Sequence, residues 1–524
     1  MTHAYEELIG YKLMLAFDGL EPPDRILDWI RRRRVGGFSL FRGYNYFSPE
    51  QIRVLTTTLQ RVARVAGQAP LLIAVDQEGG QLTGLGEETT QFAGNMALGA
   101  TRDPELARRV GYAIGRELAA TGININYGPV LDLNTEPRNP ALGTRAFSDD
   151  PALAASLGAA MVQGLQEAGV AATLKHFPGL GESTLDSHHG MPVVDHSRER
   201  LERVEMPPFR AGIAAGARLL MTGHFAIPAL TGTAAYPATV ARRVMHDFAR
   251  GELGFRGVTI TDALDMGAIT QGAGQIIDVI AAVRADVDLM LLMLDEAVQE
   301  RVYAGLGLAY TRELIDDSHL AASVERILEL KAWTAAQTQP GLDVIGCAEH
   351  RALEAEVARR AITLLRDDAG LLPLRLPADG RIAAVMPQPK NLTPADTSAY
   401  VTPQLAAALR RYRPRVDEFV TTHAPQAAEI AELRERVAGY DLLVLGTINA
   451  SMQPQQVALA RELLATGVPA VTVALRTPYD LAVYPESGTH LATYSIHRPS
   501  LDALAAALFG EFVPGGQLPV RLAV

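Results

Sequence analysis

Eight short apolar runs recur through the first two thirds of the chain, with amphipathic helical segments between them. The runs are KLMLAFDG from Lys12, VGGFSLF from Val35, LLIAVD from Leu71, INYGPVLDL from Ile125, ATLKHF from Ala172, RLLMTGH from Arg218, VTITD from Val258 and DLMLLML from Asp288. Segments such as PELARRVGYAIGRELAATG separate them, with apolar residues at helical spacing and a glycine at the end. Buried strands alternating with helices in this way predict a (β/α)8 barrel of the TIM type, which takes about 250 residues. A Rossmann-type sheet is the competing α/β arrangement, but no GxGxxG closes the first strand.

At 524 residues the chain outgrows a single hydrophobic core, so two large domains are expected. After Leu330 the pattern loosens into KAWTAAQTQPGLDVIGCAEH, and a helix is then predicted over HRALEAEVARRAITLLRD. A second strand and helix series follows, with RIAAVMP, DLLVLGTI, AVTVALR and LATYSI as buried strands and PQQVALARELLATG as one of the helices. The expected organisation is a barrel over residues 1–335, a linker over 336–350 and a smaller α/β layer domain over 351–524.

Composition narrows the function classes. Hydrophobic content of 48% and charged content of 20% describe an ordinary folded protein. A net charge of -11 disfavours nucleic acid or an anionic membrane as the main partner. The basic run Arg31–Arg34 reads as a solvated helix end. Cys347 is the only cysteine, which rules out an intrachain disulfide and a multi-thiolate metal site. The opening MTHAYEELIGYKLMLAFDG lacks a basic region followed by a long apolar run, so no signal peptide is expected. No apolar stretch is long enough to cross a bilayer, and a cytoplasmic protein is the expectation.

In such a barrel the chemistry gathers at the carboxyl ends of the strands. Those ends present Asp76 and Glu78, Asp132 and Asn134, Lys175 and His176, His224, and Asp262. Each alone suits a helix cap, a loop contact or a surface ion pair equally well; several strand ends agreeing predict a site. Asp262 follows a run of β-branched residues on a stiff strand, where a nucleophile should stand. Asp265, one turn onward, is expected to start a helix. Within KHFPGLGESTLDSH, residues 175–188, Asp186 precedes His188 by two positions. A carboxylate so placed orients an imidazole and favours its cationic form, which makes His188 a natural proton donor near neutral pH. Gly179, Gly181 and Gly190 would let this loop move, and His189 reads as loop surface. A metal-dependent hydrolase with His176, His188, His189 and His224 as ligands is the rival from another class. Against it, the first strand offers no paired histidines and His188 lies in a glycine-rich loop.

Taken in order, AVDQEGG, PVLDLN with LGTRAFSDDP, KHFPGLG with DSHHGMP, MTGHFAIP and TITDALDMG resemble the family 3 glycoside hydrolases. The DSH element resembles their β-N-acetylhexosaminidase branch. RRAITLLRDDAGLLPL and LFGEFVPGGQLPVRL are similar to the start and end of that family's second, α/β sandwich domain. The resemblance implies a retaining, exo-acting β-N-acetylglucosaminidase that removes terminal β-linked N-acetylglucosamine, as from cell-wall muropeptides, through a glycosyl-aspartate. It implies Asp262 as nucleophile and His188 as acid/base with Asp186 as its partner. It further implies that Asp76, Arg145, Lys175 and His176 hold the sugar's hydroxyls, with His224 in a supporting place. A small glycoside is then the partner, and neither a metal nor an organic cofactor is needed. The chain departs from the family pattern at Gln81 and Gly84, where arginines are usual, and at Leu180, where a histidine is common. A phosphorylase, a β-glucosidase of the same family and a sugar-binding protein without catalysis are the alternatives.

Overall fold

The computed structural model describes residues 8–522, so the first seven residues of the opening stretch lie outside it. Eight parallel strands form the first sheet: β1 (Leu13–Leu15), β2 (Gly37–Ser39), β3 (Leu72–Val75), β4 (Ile125–Asn126), β5 (Ala171–Phe177), β6 (Leu219–Thr222), β7 (Val258–Thr261) and β8 (Met290–Leu292). Each coincides with one of the eight apolar runs, the fifth beginning one residue earlier, at Ala171. Consecutive strands pair, β8 pairs with β1, and a bridge between Ile260 and Leu289 joins β7 to β8, closing the barrel. This closure answers the Rossmann alternative, whose sheet stays open. The strands are buried throughout because helices cover the outside and side chains fill the interior.

The helices follow local signals. Helix Pro104–Ala120 begins with proline in its first turn, and Asp103 accepts the Leu106 N–H at 3.1 Å. Arg31, Arg32 and Arg33 form the last turn of helix Asp24–Arg33, where cations complement the helix dipole. Arg33 also stacks over Trp29, 4.3 Å from the ring centroid. Among the described residues no helix is long and apolar enough to cross a membrane.

A second sheet contains β9 (Thr363–Asp367), β10 (Ile382–Pro387), β11 (Val416–Thr421), β12 (Leu442–Thr447), β13 (Ala470–Ala474) and β14 (Thr489–Ala492), in the order β9-β14-β13-β12-β10-β11. All neighbours are parallel except β9 with β14. Alternation along β12 divides the core in two. Leu442 and Val444 join helices Leu405–Arg410 and Arg498–Leu508 on one face, while Leu443 and Leu445 join Ala427–Val437 and Pro454–Leu464 on the other. The result is a three-layer α/β sandwich.

Two strands differ from the sequence expectation. The helix expected through residue 367 stops at Ala361, and Thr363–Asp367 instead pairs along β14 as an edge strand. Local helix formers such as Leu364 and Leu365 yield there to sheet pairing. The other, β11, is an edge strand whose exposed Asp417 and Glu418 hide it from a search for apolar runs. Helix Ala348–Ala361 lies between the two units. Its Leu353, Val357 and Ala361 belong to the barrel's core, and Ala358 to that of the second sheet.

The chain leaves β10 toward β11 on one side and returns to β12 on the other, so the carboxyl end of β10 is a topological switch point. The loop that emerges there, residues 388–401, reaches the mouth of the barrel, where the Thr397 N–H donates to Gln81 O at 2.8 Å.

Candidate active site

A cavity of about 720 Å³ opens at the carboxyl ends of the barrel strands, lined by Asp76, Arg145, Lys175, His176, His188 and Asp262 among others. A larger cleft of about 1090 Å³, around Arg284 and Asp316, gathers none of the strand-end groups singled out above.

Stiff supports surround the cavity floor. Asn126 of β4 receives the Gln77 N–H and donates to Gln77 O, both at 3.0 Å, clamping the chain just after Asp76. Lys175 and His176 are neighbours on β5, and strand neighbours ordinarily point to opposite faces. The pairing of β5 with β6 shifts register between Leu174 and Phe177, and both side chains line the cavity. Lys175 Nζ lies 2.6 Å from Asp76 Oδ1 and 2.6 Å from Glu78 Oε1. Arg145 grips Glu78 through two bonds of 2.9 Å. Glu78 is therefore a buried counterion shared by two cations. Burial alone would raise its pKa, yet Arg145 and Lys175 hold it down at about 2. Burial acts against the charged amine of Lys175 too, but Asp76 and Glu78 outweigh it and raise its pKa.

Asp132 holds His176 from behind. Its Oδ2 lies 2.7 Å from His176 Nδ1 and accepts the His176 N–H at 3.0 Å, while its Oδ1 accepts the Leu180 N–H at 2.7 Å. This leaves His176 Nε2 facing Asp262, 4.0 Å from Oδ2. Asp262 accepts the Ala263 N–H through Oδ1 at 2.8 Å, and its carboxylate retains 21% exposure to the cavity. Burial works to raise the Asp262 pKa, but the imidazoles of His176, His224 and His188 and the Ala263 N–H leave it lowered. It is thus held ionised.

The loop after β5 brings His188 into the cavity. Asp186 Oδ1 lies 2.6 Å from His188 Nδ1 and accepts its backbone N–H at 3.0 Å. Desolvation would lower the imidazole pKa, yet Asp186, and Asp262 beyond it, raise it. The loop is also tied across to the chain after β7, where the Gly267 N–H donates to His188 O at 3.1 Å and the Ala268 N–H to Ser187 O at 3.2 Å. Its glycines serve packing as well as freedom. A Cβ at Gly181 would lie 1.9 Å from Leu133 O, so that position demands close approach, whereas Gly190 meets only Leu185, at 3.5 Å.

His224 is fully buried and does not line the cavity. Its Nδ1 lies 2.7 Å from Thr239 Oγ1 and its Nε2 lies 3.1 Å from Ala263 O, so both ring nitrogens are engaged within the protein. It braces the peptide that carries the Asp262 hydrogen bond. Asp265 starts no helix, because residues 262–271 form turns and the next α-helix is Gln275–Arg284. It lines the cavity instead. His189 is exposed. Among the described residues no three His, Cys, Asp or Glu side chains are grouped to hold a metal ion.

The sequence model described as "Glycosyl hydrolase family 3 N terminal domain" matches residues 9–330. The chain belongs to glycoside hydrolase family 3. Among solved family 3 structures, a β-N-acetylglucosaminidase from Paenibacillus sp. str. FPU-7 superposes with a TM-score of 0.94 at 36% identity, covering 99% of each chain. Beta-hexosaminidase A of Pseudoalteromonas piscicida is 32% identical, over 98% of this chain and 96% of its own. A protein of Cellulomonas fimi named beta-N-acetylglucosaminidase/beta-glucosidase is also 32% identical, over 88% of this chain and 85% of its own. The chain is thus a family 3 glycoside hydrolase of the hexosaminidase kind.

The family's second unit takes part in the cavity through Asn391, Ala395, Asp396 and Tyr400, which no strand-end argument could find. Gln81, one of the two positions where the family pattern has an arginine, faces that unit. Its Oε1 receives the Thr144 hydroxyl at 3.2 Å and its Nε2 donates to Ala395 O at 3.4 Å. The other such position, Gly84, leaves no room for a side chain, since a Cβ there would lie 2.1 Å from Val75 Cγ2.

Proposed function

We propose that this protein is a retaining, exo-acting β-N-acetylglucosaminidase that releases terminal β-linked N-acetylglucosamine through a covalent glycosyl-aspartate. One observation carries the reading: an ionised Asp262 and an imidazole made more basic by Asp186 line the same cavity.

In the first step an Asp262 carboxylate oxygen attacks the anomeric carbon as the bond to the leaving oxygen breaks. His188 gives its Nε2 proton to that oxygen. In the second step neutral His188 takes a proton from water, the hydroxide portion bonds to the anomeric carbon, and Asp262 leaves as carboxylate. Two inversions return the original configuration. Asp76, Arg145, Lys175 and His176 hold hydroxyls of the sugar. Asp76 and Lys175 reach the cavity with their mutual charge already balanced, so binding does not have to neutralise them. Fragments of the bacterial cell wall, whose glycan contains such terminal residues, are a fitting source of substrate.

The test is to trap the intermediate with an activated 5-fluoro N-acetylglucosaminide and map the labelled peptide. A tag on Asp262 within TITDALDMG is the expected result; a tag elsewhere overturns the reading.

A second reading, transfer to inorganic phosphate, has one favourable observation: the proton-transfer group is an imidazole, where a carboxylate would repel the incoming anion. Release of sugar 1-phosphate in phosphate buffer would select it over hydrolysis. The name of the Cellulomonas relative also makes β-glucosidase activity worth assaying, with aryl glucoside set against aryl N-acetylglucosaminide.

A further inference from the structure

We propose that the second unit binds a phosphate group, free or carried by a small sugar, at its topological switch point, where the chains leaving β10 and β12 part. The proposal goes beyond the glycosidase reading and does not rest on it.

Open α/β sheets bind ligands outside the carboxyl ends of their strands, at the point where the strand order reverses. Here four strand ends are tied to one another around that point. The Gln388 N–H, after β10, donates to Thr421 O of β11 at 2.8 Å. Gln456 accepts the Ile448 N–H, after β12, at 2.8 Å and donates to His423 O, after β11, at 3.0 Å. Thr477, after β13, gives its N–H and its hydroxyl to Asn449 Oδ1 at 3.2 and 2.9 Å. Its neighbour Arg476 pairs with Asp396, in the loop after β10, at 2.9 Å.

Around these contacts a set of buried polar atoms has no hydrogen-bond partner in the protein: Thr393 Oγ1, Ser398 Oγ, Thr421 Oγ1, Arg476 Nε and both ring nitrogens of His423. Ser398, Thr421, Arg476 and His423 are only 2%, 4%, 3% and 8% exposed, and an unmade hydrogen bond at that depth is costly. The His423 ring stands near the Gln388 carbonyl without a bond of ordinary geometry. Each of these groups can donate, and none is a carboxylate or amide oxygen. Unpartnered atoms elsewhere include pure acceptors, such as Gln91 Oε1 and Gln275 Oε1. Hydrogen phosphate, with several acceptor oxygens and one hydroxyl, matches three hydroxyls, a guanidinium and a neutral imidazole.

Charge selects an anion over water. Burial lowers the His423 pKa, and the cations Lys390 and Arg476 lower it further. Among the described residues Lys390 has no carboxylate oxygen within 4.0 Å. Asp396 is the carboxylate felt at His423, and its oxygens are spent on Arg476 and on the N–H groups of Leu392 at 3.0 Å and Ser398 at 2.8 Å. Asp480 is committed to the Thr447 hydroxyl at 2.6 Å and the Ser451 N–H at 3.1 Å. Helix Pro454–Leu464, whose first turn carries Gln456, adds the positive end of its dipole. Thr393, Ser398, Thr421, His423 and Arg476 do not line the active-site cavity, so the site is a separate one.

The test is calorimetric titration of the full chain with inorganic phosphate and, separately, with glucose 6-phosphate, at matched ionic strength. One phosphate group per chain should bind, and about 10 mM should raise the melting temperature by about 2–4 °C. The tighter of the two ligands identifies the source of the group. Thr421→Val and Lys390→Gln should each weaken binding about tenfold. In phosphate-free buffer Thr421→Val should melt at or above wild type, because the hydroxyl it removes has no protein partner. A wild type that binds neither ligand, or variants that bind as wild type does, overturns the proposal. So does a Thr421→Val chain that melts well below wild type without phosphate, as it would if water held the hydroxyl. Phosphate binding that disappears in His188→Ala would put the ion in the active-site cavity and overturn the proposal as well.

Discussion

Asp186 Oδ1 lies 2.6 Å from His188 Nδ1 and accepts the His188 backbone N–H at 3.0 Å, so one carboxylate oxygen fixes both the position of the chain and the orientation of the ring. With Nδ1–H committed to Asp186, Nε2 is the atom left to exchange protons with a ligand. The loop thus delivers an oriented acid rather than a freely rotating imidazole.

The pH dependence follows from that pair. Asp186 raises the His188 pKa, which keeps the ring protonated and able to act as acid to higher pH. In Asp186→Asn the cationic ring loses its counter-charge, and its pKa falls. The alkaline limb of the kcat/KM profile should move to lower pH, while Asp262, ionised throughout, leaves the acidic limb nearly in place. A profile whose alkaline limb stays put would count against His188 as the acid.

Removing the imidazole separates substrates by leaving group. General acid catalysis contributes about 10²- to 10⁴-fold where the leaving oxygen needs a proton. His188→Ala should therefore lose activity toward chitobiose by that order, but far less toward a dinitrophenyl glycoside, whose phenolate departs unassisted. Equal losses on the two would assign His188 a structural role.

Asp262→Ala removes the proposed nucleophile, and kcat should drop by about 10⁴-fold or more on every substrate, activated ones included. Among the described residues the side chain accepts a single hydrogen bond, from the adjacent Ala263 N–H, so the folded state should survive. Circular dichroism and the melting temperature should stay close to wild type. Added azide should restore turnover and give an α-glycosyl azide, since the anion attacks from the face that Asp262 vacates.

The features legible in the sequence are those whose cause is local. All eight barrel strands show as apolar runs because a strand covered on both faces has no polar alternation. Asp76, Lys175, His176 and Asp262 are legible because they directly end or follow such runs. Glu78 can be seen at a strand end, but its part as the counterion of Arg145 depends on a contact across 67 positions. Asp132 reads equally well as a loop satisfier, and in the structure it does both, holding the Leu180 N–H and the His176 ring. His224 looks like a ligand-facing strand end and is a buried brace, because its neighbours Thr239 and Ala263 come from other parts of the chain. Arg42 and Tyr400 meet only through the packing of the two units, some 350 positions apart, and no spacing rule reaches that far.

The Glu78 triad ties stability to the site. Its carboxyl is depressed in the fold from the ordinary 4.5 to about 2. A depressed carboxylate stabilises the fold at pH values above its unfolded pKa, and that contribution is lost as pH falls from about 4.5 through about 2. The shift corresponds to about 3 kcal/mol as an order of magnitude. Glu78→Gln leaves Arg145 with no carboxylate partner and Lys175 with Asp76 alone, and breaking such a buried pair costs about 3–5 kcal/mol. Glu78→Gln should melt well below wild type at pH 7, and kcat/KM should fall because Arg145 and Lys175 lose their fixed positions. Between pH 4 and pH 2 the wild-type melting temperature should drop toward that of the variant, as protonation does to the native carboxylate what the amide does at every pH. A melting difference that stays constant over that range would mean Glu78 stabilises the fold by packing rather than by charge.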